Sequence, residues 1–506
     1  MIENLQRSDH RRITKRIIIR GILVLDTPTC LGSGDTEAPT DLALLRDSIS
    51  DRALLTGSSI GGALRNYLHE YEQGYGKNEI CQGLATKLFG HLFRYEDEES
   101  KEEENQSPLI IDDAISSKIP VIELRDGVKI DGATGIAEDS KKYDLELLEA
   151  GTEFFLSFEL LIEKDEADLK KALALALRGL EKGEICLGMK KRRGFGRCHL
   201  EKWQVWEFDL QKPKDRIEWL KFDHWTRELS NRRKSFESIV VALGGVPLKQ
   251  VIDQRSLLSI DAKFKLASPL LIRSGQDLVE NKRSPDVVHL HSQRNGKPQP
   301  IVSGTSLAGV LWHRSERIVK TLDKNLQILY NIFGIVEGNH VKSSRLIIHE
   351  SVIENTAELV QSRIAIDRFT GGTYHGALFS EQPIFGLEKT EEEKTSKNKK
   401  SQPKSKPPNN NKHIELKLEL RHPKEDEIGL LLLLLKDLWT GDLPVGGTSS
   451  IGRGRLQGVE ATIVWQQPEK PEQKWVISQD NGKLKFEGED KQKLENCVSK
   501  FVEKKL

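Results

Sequence analysis

Net charge is the first thing this sequence lacks: 77 lysines and arginines balance 77 aspartates and glutamates over 506 residues. That balance argues against a protein that coats nucleic acid through bulk charge. Cysteine is scarce, and Cys30, Cys81, Cys186, Cys198 and Cys497 form no C-x-x-C pair. Zinc-ribbon and dithiol chemistry are therefore not expected, and reduced thiols are. Long hydrophobic runs are missing too. The most apolar stretch, IGLLLLLLKDLW at 428–439, falls well short of the ~20 residues that span a bilayer and reads as a buried helix. The N-terminal MIENLQRSDHRR carries no apolar core of a secretory signal, so a cytoplasmic protein with no membrane partner is expected.

What is present is a repeat. LFG at 88–90 answers IFG at 332–334, and SPLIIDDAIS (107–116) answers SRLIIHESVI (344–353). KIDGATG (129–135) answers AIDRFTG (365–371), pairing Asp131 with Asp367. KGEICLGMKKRRGFGR (182–197) aligns without a gap on TGDLPVGGTSSIGRGR (440–455). TGSSIGGALRN (56–66) and SGTSLAGVLWH (303–313) repeat an odd helix start; each glycine inside such a helix costs roughly 1 kcal/mol relative to alanine. The length suits two domains of about 200 residues each. The sequence divides into a tail (1–13), one unit (14–208), a charged connector (209–255), a second unit (256–466) and a C-terminal hairpin and helix (467–506). Residues 389–413, rich in lysine, serine, proline and asparagine, read as a disordered insertion in the second unit.

Each unit opens with a β-rich run, RIIIRGILVLD (16–26) or LSIDAKFKLAS (258–268). The odd helix, further strands (153–162, 413–421), a second helix (169–182, 427–439) and the glycine-rich segment follow. That order predicts an α+β fold: two tandem ferredoxin-like, RNA-recognition-motif-like domains.

Two kinds of anion site are suggested. In the glycine-rich segments, Lys190, Lys191, Arg192, Arg193, Gly194, Gly196 and Arg197 correspond to a run that ends Gly452, Arg453, Gly454, Arg455. Glycine lets backbone approach a ligand, and arginine offers a planar fork to phosphate. At the helix starts, Ser58, Ser59, Thr305 and Ser306 offer hydroxyls and N–H groups where anions bind, or else plain capping.

The ordered set of glycine loop, GSS-type helix, FG, D-x-x-TG and terminal G-x-G-R resembles the RAMP (repeat-associated mysterious protein) backbone subunits of type III CRISPR effector complexes. Two units in one chain are similar to the double backbone subunit of subtype III-D. The resemblance implies RAMP domains with loop and thumb insertions, a guide RNA gripped along its backbone, a paired single-stranded target RNA, and further effector subunits as partners. Specificity would lie in base pairing. Arg65 would contact guide phosphate; Trp312 faces it in the second repeat, leaving His313 and Arg314 as substitutes. Phe369, with Ala133 at its place in the first unit, would stack on a base.

The resemblance also implies a cleavage aspartate in the loop between first strand and first helix. TDLALLRD (40–47) puts Asp41 there, and SPDVVHLH (284–291) puts Asp286 there, with His289 breaking the pattern. Asp26 and Asp35 are nearby rivals, read as turn aspartates. Each site aspartate would recruit or position Mg²⁺, or another divalent cation, beside a phosphate next to a flipped target nucleotide, where the neighbouring 2′-OH would attack. Two alternatives stand beside this one: an inert RNA-binding scaffold, and a guide-processing endoribonuclease using histidine.

Overall fold

In the computed structural model the described residues are 12–34, 40–80, 82–91, 106–132, 134–163, 166–248, 251–273, 285–294, 296–337, 340–387, 412–480 and 483–503. Asp35, Ala133, nearly all of the 1–13 tail and nearly all of the 389–413 insertion lie outside them.

The first unit is built on one four-stranded antiparallel sheet. Its opening strand, Lys15–Leu25, alternates so that Ile17, Ile19 and Leu23 point to one side and are fully buried. It lies between Glu153–Ile162 and Cys198–Asp209, and Leu109–Ile111 pairs outside Glu153–Ile162. In order of appearance the strands stand 2-3-1-4, the ferredoxin-like arrangement. Helices α1 (Gly57–Gln73) and α2 (Glu166–Glu181) share one apolar core with the inward face of that sheet.

The second unit repeats this order. Leu346–Ile348, Ile414–Arg421, Leu257–Leu266 and Leu456–Gln466 follow one another across the sheet. Helices α3 (Gly304–Thr321) and α4 (Glu425–Trp439) cover its inner face. The chain is an α+β protein of two ferredoxin-like units. The leucine run expected to be a buried helix is α4, whose first turn carries Glu425, Asp426 and Glu427 and whose last carries Lys436. That polarity complements the helix dipole.

The ends differ. The C-terminal hairpin, Gln473–Asp480 and Lys483–Gly488, adds two strands beyond Leu456–Gln466. Helix α5 (Lys491–Glu503) packs on α4. There Gly429 is required, because a Cβ would stand 2.2 Å from the Cys497 carbonyl oxygen. The connector covers the outer face of the first sheet: Trp219 lies 4.4 Å from the Arg16 guanidinium and Phe222 lies 4.7 Å from that of Arg20.

From each unit a smaller β element projects, here called the thumb. In the first it is one long hairpin, Ile122–Ile130 with Ala137–Leu148. In the second it comprises Thr356–Glu358, Gln361–Arg363, Phe379–Gln382 and Ile384–Gly386. The D-x-x-TG segments form turns in these elements. Asp131 accepts from the Thr134 N–H, and Asp367 accepts from those of Phe369 and Thr370.

Candidate RNA interface

The two helix starts are built alike. Thr56 and Ser303 are the N-caps, accepting from the N–H of Ser59 and Ser306 at 3.2 and 3.3 Å. Ser58 and Thr305 join the same hydroxyl clusters. The glycines divide into two groups. A Cβ on Gly57 would stand 2.2 Å from the Ile111 carbonyl oxygen, and one on Gly304 would stand 2.5 Å from that of Ile348. These two are required by close packing of helix on strand. Gly62 and Gly309 would meet nothing within 4 Å, so nothing in the fold requires them to be glycine.

The anion sites at these starts are not equally open. The Gly57 N–H donates to the Asp113 carboxylate at 2.7 Å, so the protein supplies its own anion there. The second start is half-covered by the first unit, since the Arg193 carbonyl oxygen would lie 2.2 Å from a Cβ on Gly304. Ser58 and Ser59 are exposed, whereas Thr305 and Ser306 are only partly so.

A cleft of about 1090 Å³ runs between the units. One wall carries Ser58, Ser59, Lys190, Lys191, Arg192 and Arg197, and the other carries His349, Lys417, Glu419 and Arg421 from the outer face of the second sheet. Basic side chains on its walls outnumber acidic ones nine to four, so a locally basic surface exists within a neutral chain. Several of these charges are already paired. Arg421 contacts Glu70 at 2.8 Å, and Arg255 contacts Glu184 and Asp253 at 2.8 and 2.7 Å. Arg192 differs: burial, then the nearby Arg421 charge, pushes its guanidinium down to about 10. Its guanidinium has no hydrogen-bond partner among the described residues, although its carbonyl oxygen accepts from Arg193. Arg192 is half-buried, and the nearby Glu70 that partly offsets the Arg421 charge is itself paired with Arg421, which leaves the guanidinium open to an incoming anion.

The other arginines and glycines singled out by sequence sort as follows. Arg65 is paired bidentately with Glu79, and Arg314 donates to Asp437 at 2.6 Å. Trp312 is 26° from coplanar with Tyr330, a packing contact. Lys190 lies 3.5 Å from the centre of the Tyr143 ring, and burial lowers the Arg193 guanidinium from its ordinary value. Arg453 is 3 % exposed and bonds Glu381, Gln361 and Thr448. Arg455 and Phe369 are exposed. Gly196 and Gly454 sit in matching left-handed turns, where a Cβ would stand 1.8 and 2.0 Å from the carbonyl oxygens of Leu187 and Val445. Gly194 meets the backbone of the second unit, 2.4 Å from the Glu350 nitrogen, whereas its counterpart Gly452 faces open space.

The two aspartates singled out for cleavage occupy equivalent places. Both are exposed. Asp41 accepts from the Asp144 N–H at 2.8 Å, and Asp286 accepts from the Ser380 N–H at 2.6 Å and the Ser380 hydroxyl at 3.0 Å. Asp144 and Ser380 lie on the returning thumb strands, and the chain just after each aspartate pairs with that strand in parallel, Leu42 with Leu145 and Val287 with Glu381. The Ser380 N–H, then its hydroxyl, holds Asp286 below the usual carboxylate range. In the first unit burial, then the Asp126 charge, raises Asp144. Among the described residues no group of three or more His, Cys, Asp or Glu could hold a metal ion. One carboxylate with an open side therefore fits a divalent ion only if phosphate and water complete its shell. Asp26 pairs with His199 at 2.7 Å. His289 is buried, accepting from the Ile272 N–H and facing the Ile301 carbonyl, and burial pushes it down to about 4.

One network escaped the sequence reading. Arg125 on the first thumb is fully buried, 2.6 Å from Glu123, and it also pairs with Glu350 of the second unit, which Arg294 binds in turn. The signal was present: Asp113 and Glu350 are aligned acids in SPLIIDDAIS and SRLIIHESVI.

Two ferredoxin-like units share a basic, hydroxyl-lined cleft, a surface whose chemistry suits a polyanion. The sequence model of the RAMP superfamily matches residues 22–199 and 263–457, and the chain belongs to that family. It is accordingly a CRISPR-associated RNA-binding subunit with RNA and other complex subunits as partners. No curated protein matches the chain. No helix among the described residues is long and apolar enough to cross a membrane.

Proposed function

We propose that the chain is a fused double backbone subunit of a type III CRISPR effector complex, of the subtype III-D kind, that cleaves guide-paired target RNA at Asp41 and Asp286. The observation that carries this reading is the equivalence of the two aspartates: each is exposed at a thumb base and held by one N–H of the returning strand of its own unit's thumb. An anchored carboxylate facing solvent is pre-positioned for a phosphate that the thumb presents. Arg192, Lys191, Ser58 and Ser59 would hold guide phosphates in the cleft between the units. Asp41 and Asp286 would hold a divalent cation, which supplies charge neutralisation at the phosphate when bound. A scaffold without cleavage is favoured by the lack of a protein-built metal cage among the described residues.

Counting products decides between them. Assembled complexes carrying Asp41→Ala should lose one target-cleavage product, Asp286→Ala another, and the double variant both. Unchanged products in the double variant would establish the scaffold.

A further inference from the structure

Arg453 stands in the glycine-rich segment, where the alignment gives Phe195 in the first unit. Both are buried, at 3 % and 2 % exposure, and both touch the thumb at the same point. Phe195 packs with Leu145, and Arg453 donates to Glu381 at 2.8 Å, a carboxylate that Arg363 of the thumb also contacts at 3.1 Å. Leu145 and Glu381 are the residues that pair with the chain just after Asp41 and Asp286. Arg453 does more than its counterpart. Its other nitrogen donates to Gln361 at 2.8 Å, on the neighbouring thumb strand. The small sheet Val287–Val288, Phe379–Gln382, Gln361–Arg363 is thus stapled across two of its strands. Ser380, which holds Asp286, precedes Glu381 directly.

We propose that Arg453 is a positioning residue for Asp286: its guanidinium fixes the strand whose Ser380 N–H orients the cleavage carboxylate, where the first unit uses an apolar contact for Asp41. This rests on the reading of Asp286 as a cleavage residue. The guanidinium does not touch RNA; its effect passes through Glu381 and Ser380. The consequence is selective, because among the described residues Arg453 bonds only Glu381, Gln361 and Thr448, all in the second unit.

The test uses the assembled complex with guide RNA, a complementary target RNA and Mg²⁺, following each product separately under single-turnover conditions. Arg453→Met should slow cleavage at the Asp286 site by ~10- to ~100-fold, the scale of a sub-ångström to ångström misplacement. Cleavage at the Asp41 site and guide retention should be unchanged. Glu381→Gln, which keeps an acceptor, should give a smaller loss at the same site and serves if Arg453→Met fails to assemble. Arg453→Phe with Glu381→Leu, which writes the first unit's contact into the second, should restore the rate. Equal loss at both sites, no loss at the Asp286 site, or failure of that rescue would overturn the proposal. If Asp286→Ala itself keeps its product, the cleavage reading falls and the positioning role with it. If Asp286→Ala loses its product while Arg453→Met keeps it, only the positioning role falls.

Discussion

The two thumbs are anchored at the same point by opposite means. In the first, the glycine-rich segment contributes Phe195 to an apolar contact with Leu145, and the arginine sits on the thumb, as Arg125. In the second, an arginine sits on the glycine-rich segment, as Arg453, and shares Glu381 with Arg363 of the thumb, while Gln361 stands where Arg125 does. The carboxylates differ correspondingly. Arg125 reaches across the unit boundary to Glu350, while Arg453 finds Glu381 in its own thumb. A duplicated fold thus preserves where a contact is made and leaves its chemistry free. The first thumb is tied to the second unit, whereas Arg453 ties the second thumb to its own unit.

The sharpest way to break that asymmetry is Glu350→Ala. It leaves the half-buried Arg294 without its carboxylate and the buried Arg125 with Glu123 alone, a loss expected to destabilise the chain by about 3–5 kcal/mol in denaturant titration. Gly194→Ala should follow. Its left-handed backbone (φ +88°) and a Cβ 2.4 Å from the Glu350 nitrogen leave no room, for a loss of about 3 kcal/mol. Gly452→Ala has the same strain without the clash, and about 1 kcal/mol is expected. Equal losses at the two glycines would deny the unit junction its role. Next, Arg192→Met should weaken guide RNA binding and reduce the salt slope of log K by about 0.7. Arg65→Met, whose guanidinium is committed to Glu79, should leave that slope unchanged. The smallest effect concerns Asp286. Its carboxyl lies below the ordinary range because Ser380 donates two hydrogen bonds. The anchor therefore contributes fully at neutral pH and fades only as pH falls below about 4 and through the folded value. Ser380→Ala should raise the Asp286 pKa in an NMR titration without abolishing the lowering, since the N–H remains.

Much of the fold was legible because it depends on short-range pattern. The alternation in RIIIRGILVLD, the leucine run of α4 and the twofold recurrence of glycine motifs are properties of neighbouring residues. Asp41 and Asp286 came from a resemblance rather than from spacing, and the structure places them in equivalent surroundings. The glycines were misjudged individually. Gly194, Gly196 and Gly454 read as ligand-facing positions, but Gly194 lies against backbone of the second unit, and Gly196 and Gly454 lie against a carbonyl nine residues earlier in their own segments.

Sequence by itself determined the class of fold, its duplication and the residue types available to meet RNA, because periodicity and repetition are local. Tertiary structure alone decided which arginines remain for a ligand. Arg453, Arg314 and Arg65 read as free cations in the chain, yet each is paired with a carboxylate brought from 14 to 123 positions away. Arg192 is left beside another arginine. Charge pairing depends on distance in space, and the chain sequence carries no measure of it.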